Sequence, residues 1–200
     1  MKRTVLILGI VILLLILLIG KGIRIYNDFI VKQEAVKTSW GNVQNAYQKR
    51  FDLIPNLVNT VKGYADHEQS TLIGVIEARA EATKTSINVD ADKITPETLA
   101  EINNLTADMN SVLSRLLVAV ERYPDLKANE NFLQLQRQLE TTENEINARR
   151  NEFNETAKIY NTKVRRFPNN IVAAIFKFKV MPYFESIEGA EVAPVVDFSK

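Results

Sequence analysis

Residues 5–20 read VLILGIVILLLILLIG, an apolar run with no charge and no polar side chain. Lys2 and Arg3 stand before it, Lys21 and Arg24 after it. A helix needs about 20 residues to cross a hydrocarbon core of ~30 Å. The run alone is slightly short, and its flanks complete it. Thr4 is tolerable in lipid, and Gly22, Ile23 and Ile25 extend the apolar segment. The long stems of Lys21 and Arg24 can reach headgroups from a deeper backbone. Tyr26 stands where an interfacial aromatic belongs. A cleaved signal peptide would leave through small neutral residues, whereas Gly20-Lys21-Gly22-Ile23-Arg24 is charged. A core helix of a soluble domain would show a polar face. Residues 1–25 are therefore expected to be a retained transmembrane anchor. Lys2 and Arg3 put the N-terminus inside and the domain on the outer, periplasmic side, against the pull of Lys21, Arg24, Lys32 and Lys37.

The chain beyond the anchor is long enough for one domain with a core. The net charge of +1 provides no global field to recruit nucleic acid. There is no cysteine, hence no disulfide, thiol nucleophile or cysteine metal site, and there is one histidine. No cofactor, nucleic acid or small-molecule substrate is expected.

The apolar residues recur at helical spacing. Val36, Trp40, Val43 and Tyr47 form a first stripe on a helix that leaves the bilayer. A second helix is expected from Asp52 as N-cap, with Pro55 in its first turn, and carries Ile54, Leu57, Val58, Val61, Tyr64, Leu72, Val75, Ile76 and Arg79. A loop is expected at 86–94. Thr95-Pro96-Glu97 is a helix start: a cap, a proline at the first position, an acid at the positive end of the dipole. Leu99, Ile102, Leu105, Met109, Val112, Leu116, Val120 and Tyr123 line that third helix, which Pro124 ends. The fourth, expected to be the longest, starts near Asn129 and runs to Pro168. Its seam, from Phe132 through Leu139, Ile146 and Phe153 to Tyr160, also carries Thr142, Arg149 and Thr156, three polar residues seven apart. A short apolar helix is expected at 171–178. The fold class is all-α: an N-terminal transmembrane helix, then an antiparallel up-and-down bundle of four long helices plus a short C-terminal helix. The domains are 1–25 (anchor), 26–180 (bundle) and 181–200 (tail without periodicity).

Arg50-Phe51-Asp52-Leu53-Ile54-Pro55-Asn56-Leu57-Val58, with Val61-Lys62-Gly63-Tyr64-Ala65, His67-Glu68 and Ala78-Arg79-Ala80, resembles the signature of the LemA family. Tyr160-Asn161, Val164, Phe167-Pro168-Asn169 and Pro182-Tyr183-Phe184 resemble its second block, and the anchor with Tyr26-Asn27 and Val31 its opening. The resemblance reaches from the anchor to about Glu188. One departure is Lys177, where the family usually has a glycine. The resemblance implies a bacterial membrane-anchored helical bundle and no particular reaction.

The candidate sites are structural before they are functional. His67-Glu68 lacks the second histidine of a zinc protease, since position 71 is Thr. His67 reads as a surface or inter-helix hydrogen-bonding residue. Arg50, Asp52, Asn56 and Asn59 are expected to cluster at a corner between two helices, as a capped turn rather than a binding notch. Arg79 and Arg149 fall on apolar stripes, where a charge needs a partner. Glu68, Glu121 and Glu143 are candidates, and a register-fixing polar layer outranks a partner-binding charge. Arg165, Arg166, Lys177 and Lys179, with Lys163, surround the segment at 171–178. This basic end piece either lies on anionic headgroups or folds over the open end of the bundle. In an up-and-down bundle the fourth helix ends at the height of Tyr26, close to the membrane. The expected function is a non-catalytic, membrane-anchored scaffold or interaction protein of the bacterial inner membrane. Its partners would be lipid, through the anchor, and other membrane proteins or copies of itself. The alternative is an accessory subunit of a membrane enzyme such as a protease.

Overall fold

One helix, α1, runs unbroken over Lys2–Lys62 in the computed structural model, which describes residues 2–63, 73–77, 80 and 89–185. At 1.5 Å per residue its 61 residues reach about 90 Å. The boundary expected at residues 25 and 26 therefore lies inside a helix, with no linker between the apolar run and the bundle. The run is fully surface-exposed and is the one stretch, among the described residues, apolar and long enough to cross a membrane.

The corner expected at Asp52 does not exist. Asp52 is exposed in mid-helix and accepts a hydrogen bond from Gln48 Nε2 at 2.8 Å, so it caps nothing. Pro55 sits inside α1 on the solvent side. It withholds an N–H from the carbonyl four residues back, at a cost of about 3 kcal/mol. Phe51, Ile54, Leu57, Val58 and Val61 keep one buried stripe in phase across it. Each such side chain gains about 1.5–3 kcal/mol on burial, so the stripe outweighs the proline. The first part of the expected second helix belongs to α1, which ends at Lys62, residues 64–72 lie outside the described residues, and 73–77 are helical with Val75 fully buried.

A 3-10 turn at Ala91–Lys93 leads into α2, Pro96–Val120. Thr95 caps α2 as expected, its Oγ1 accepting from Thr98 N at 3.2 Å. Pro124 opens the four-residue helix α3, Pro124–Lys127, instead of only ending α2. Asn129 caps α4, Glu130–Arg165, by accepting from Phe132 N at 3.1 Å. At 36 residues α4 is shorter than α1, which absorbed part of its neighbour. The short helix α5 is Asn169–Phe176. No strand occurs among the described residues.

Side-chain pairs set the directions. Lys163 meets Asp28 at 3.1 Å, Thr156 meets Ser39 at 2.7 Å, and Glu143 meets Arg50 at 2.9 Å. Each step up α1 is matched by a step down α4, so the two are antiparallel. Thr106 and Asn110 of α2 bond Tyr47 and Arg50, so α2 rises alongside α1. The core lies between them: Trp40, Tyr47, Leu57, Ile102, Leu116, Phe132, Phe153 and Tyr160 are all buried.

The packing continues past 180, where a tail was expected. Asn161 donates to Met181 O and accepts from Met181 N, both at 2.8 Å. Asn154, two turns earlier on the same face, does the same to Phe184 at 2.9 and 2.8 Å. These amides hold residues 181–185 as an extended strap along α4. Phe184 completes an aromatic group with Trp40 and Phe153. Arg150 lies over its ring at 4.4 Å.

Candidate interaction surfaces at the two ends of the bundle

Far from the anchor, three helices meet around Arg50. Its side chain is 5% exposed. The guanidinium donates to Asn110 Oδ1 and pairs with Glu143 Oε2 at 2.9 Å. A buried cation this deep must be paired, because isolated burial of a charge costs several kcal/mol. The other members of the expected cluster do not join it. Asp52, Asn56 and Asn59 lie on the exposed face of α1. Arg149 is not a buried seam charge either. It is partly exposed and pairs with Glu152 on its own helix at 2.9 Å. A heptad count alone cannot tell a seam position from its flank, and the charge belongs to the flank. Of the partners considered for buried arginines, Glu143 serves Arg50. Thr142 and Thr156 satisfy their hydroxyls on helix carbonyls, and Thr156 also meets Ser39. His67, Glu68 and Arg79 lie outside the described residues. Beside Arg50 opens a cleft of about 540 Å³, lined by Leu57, Leu113, Leu117, Leu133 and Leu139 together with Glu143.

Close to the anchor, Tyr26 and Phe29 of α1 pack on Phe178 at 5.6 and 4.9 Å. Phe176, the last residue of α5, meets Tyr26 at 4.7 Å. The fourth helix of the expected bundle, α4, therefore ends at the height of Tyr26. Lys37 is ion-paired with Asp92 at 2.7 Å, and that bond raises its pKa. The Tyr160 hydroxyl is fully buried and has no hydrogen-bond partner among the described residues. Burial, with the nearby Asp92 charge, pushes its pKa up to about 12. Arg165, Arg166, Lys177 and Lys179 are all exposed, and none pairs with a carboxylate among the described residues.

Lys177 has φ of 60°, in the left-handed region. Its N–H bonds Ala174 O, and the N–H of Phe178 bonds Ala173 O at 2.9 Å. This is a Schellman ending, which favours glycine at the position of Lys177. A residue with a Cβ pays about 1–2 kcal/mol there. The glycine usual in the second block thus has a backbone reason.

The family model of the LemA family matches residues 39–198. The chain belongs to the LemA family. The match covers the upper part of α1, the three-helix junction at Arg50 and the strap, and runs beyond Glu188, where the motifs were last legible. Protein LemA of Metamycoplasma hominis is 27% identical, over 88% of this chain and 78% of that protein. Magnetosome protein MamQ of Magnetospirillum gryphiswaldense is 25% identical, over 90% of this chain and 71% of its own. Magnetosome protein MamQ 2 of Paramagnetospirillum magneticum is also 25% identical, over 80% of this chain and 64% of its own. None of these names is that of an enzyme. Among the described residues no group of three or more His, Asp or Glu is placed to hold a metal.

Sequence alone does not reveal the residues that complete both ends. Glu143 and Asn110 needed the helix register, which no single helix contains. Asn154 and Asn161 are seven apart, a spacing visible in the sequence, but their partner is a strap twenty to thirty residues away.

Proposed function

We propose that this LemA family member is a non-catalytic, single-pass membrane protein of the bacterial cell envelope, whose bundle docks other membrane proteins or copies of itself. The bundle stands on the outer face of the inner membrane. One observation carries the reading: α1 passes from the apolar run into the core of the bundle without a break. A helix packed along its length by α4 cannot bend freely at the membrane. Docking faces such as the cleft beside Arg50 are thereby held at a set height above the lipid. The cationic residues at the near end, Arg165, Arg166, Lys177 and Lys179, lie where the anchor emerges.

Photo-crosslinking residues introduced at Leu117, Leu133 and Arg137, which line the cleft, in the full-length protein, followed by capture from cells, test this. Crosslinks to a membrane protein or to a second copy are expected. A dominant crosslink to a membrane enzyme would make the chain an accessory subunit. Absence of any protein crosslink from all three positions would remove the docking role. Protease accessibility in spheroplasts checks the side on which the bundle stands.

A further inference from the structure

A second surface at the membrane end fits lipid rather than protein. Phe167 is 75% exposed, Ile171 51%, Ile175 67% and Phe176 55%. Ile171 and Ile175 are four residues apart and share one face of α5, and Phe167 lies in the turn just before the helix. The opposite face of α5 is already used: Ala173 is buried and Val172 is packed against the core. Clustered large apolar side chains at a surface mark a contact with another apolar phase.

Height identifies that phase. Lys163 of α4 pairs with Asp28 of α1, and the two helices are antiparallel. Counting down α4 from this pair to its last residue, Arg165, reaches the level of Tyr26, one residue or about 1.5 Å beyond Ile25, and there the chain turns into α5. The interfacial layer of a bilayer is roughly 5–8 Å thick on each side. The other end of α5, Phe176, rests on the ring of Tyr26 at 4.7 Å. The chain therefore turns toward α5 and leaves it near the height of Tyr26, and α5 lies along the surface the anchor leaves. From Arg165 to Phe184 the chain carries four cations and no acid. Two of these cations precede α5 and two follow it, so an uncharged apolar helix is flanked at both ends by positive charge, which suits an anionic interface.

We propose that the outward face of α5 is embedded in the leaflet from which α1 emerges, with Phe167, Ile171, Ile175 and Phe176 among the upper acyl chains and Arg165, Arg166, Lys177 and Lys179 on anionic headgroups. This rests on the reading of 5–20 as a membrane span, and deepens it. A single span leaves a bundle free to rotate and tilt. A second contact beside it fixes both, and so decides which faces of the bundle point along the membrane. The two alternatives for the basic end piece are then two faces of one helix: α5 covers the end of the bundle with Ala173 and meets lipid with Ile171 and Ile175.

The chain has no cysteine, so single cysteines can be labelled cleanly. Nitroxides at Ile171→Cys and Ile175→Cys are compared with Leu13→Cys in the span and Val118→Cys at the far end. The full-length protein is placed in phosphatidylcholine vesicles with and without phosphatidylglycerol. Collision with oxygen and with a water-soluble nickel chelate is measured. The expected result is that labels at 171 and 175 resemble the label at 13, several-fold less open to nickel than the label at 118. With phosphatidylglycerol present, Arg165→Gln, Arg166→Gln, Lys177→Gln and Lys179→Gln together should raise nickel access at 175. Labels at 171 and 175 as open to nickel as the one at 118 would overturn the embedding. Labels shielded from both reagents would also overturn it, since protein would then cover the stripe. If the four substitutions change nothing, the cations have no role in it. If the label at 13 is itself open to nickel, the span has failed, and the failure is distinguishable from that of α5.

Discussion

Removing Glu143 should be the most damaging surface-adjacent change in the bundle. The Arg50 side chain is 5% exposed and that of Glu143 35%. Breaking a buried ion pair costs about 3–5 kcal/mol, while an exposed pair is worth about 0–1 kcal/mol. The pairing oxygen, Glu143 Oε2, is buried with the guanidinium, but the rest of the glutamate side chain reaches solvent. Asn110 also stays with the guanidinium when the carboxylate goes. Glu143→Ala should therefore cost about 2–3 kcal/mol, between the two limits. In a domain of this size 1 kcal/mol moves Tm by about 2–4 °C, so the shift should be about 5–10 °C downward. Arg50→Met should cost less, because the carboxylate it leaves behind can turn to water. Arg50→Met with Glu143→Leu should return to within ~1 kcal/mol of the parent, since both charges are gone and apolar volume fills the site. Thermal melts of the full-length protein in detergent, followed by far-UV circular dichroism and with Glu143→Leu included as the second single variant, give all four corners of the cycle. Glu143→Ala shifting Tm by less than about 2 °C would refute the reasoning. So would a double variant as unstable as the two singles combined.

Tyr160→Phe should be neutral or slightly stabilising at pH 7, because the hydroxyl it removes has no protein partner among the described residues. The folded pKa of about 12 lies above the ordinary 10.0, so the contribution of Tyr160 is constant below pH 10 and is lost as the pH rises to 12. The loss assigned to this group is about 3 kcal/mol, and denaturant melts across that range should show it in the parent but not in Tyr160→Phe. Lys177→Gly should raise Tm, by relieving about 1 kcal/mol of left-handed strain, while removing a cation from the membrane end. A lower Tm would mean that the lysine is held by a contact that outweighs its backbone. Asp52→Ala should be nearly silent, whereas Thr95→Ala should cost about 0.5–2 kcal/mol, because only Thr95 caps a helix. Equal costs in parallel melts would restore a structural role to Asp52.

What the sequence determined by itself is what depends on neighbours along the chain. The anchor is a matter of composition over one helix length, and residues 5–20 leave no other economical reading. The buried faces of α2 and α4 follow from helical periodicity, and the caps at Thr95 and Asn129 from local hydrogen bonding. Pro55 shows where local signals end. Asp52 with a proline three residues on is a good helix start, yet the buried stripe from Phe51 to Val61 continued α1 through it. Only packing energy from other helices could decide that contest. The tertiary structure alone decided which arginine is buried: Arg50, expected at a turn, lies on the buried stripe of α1, and Arg149, expected on the seam of α4, lies on its flank. It alone tied residues 181–185 to Asn154 and Asn161. It also laid α5 beside the emerging anchor, turning a short apolar stretch into a surface with one face in the core and one face outward. Those outcomes depend on pairs of residues far apart in sequence, and the free energy of such pairs appears in no single segment.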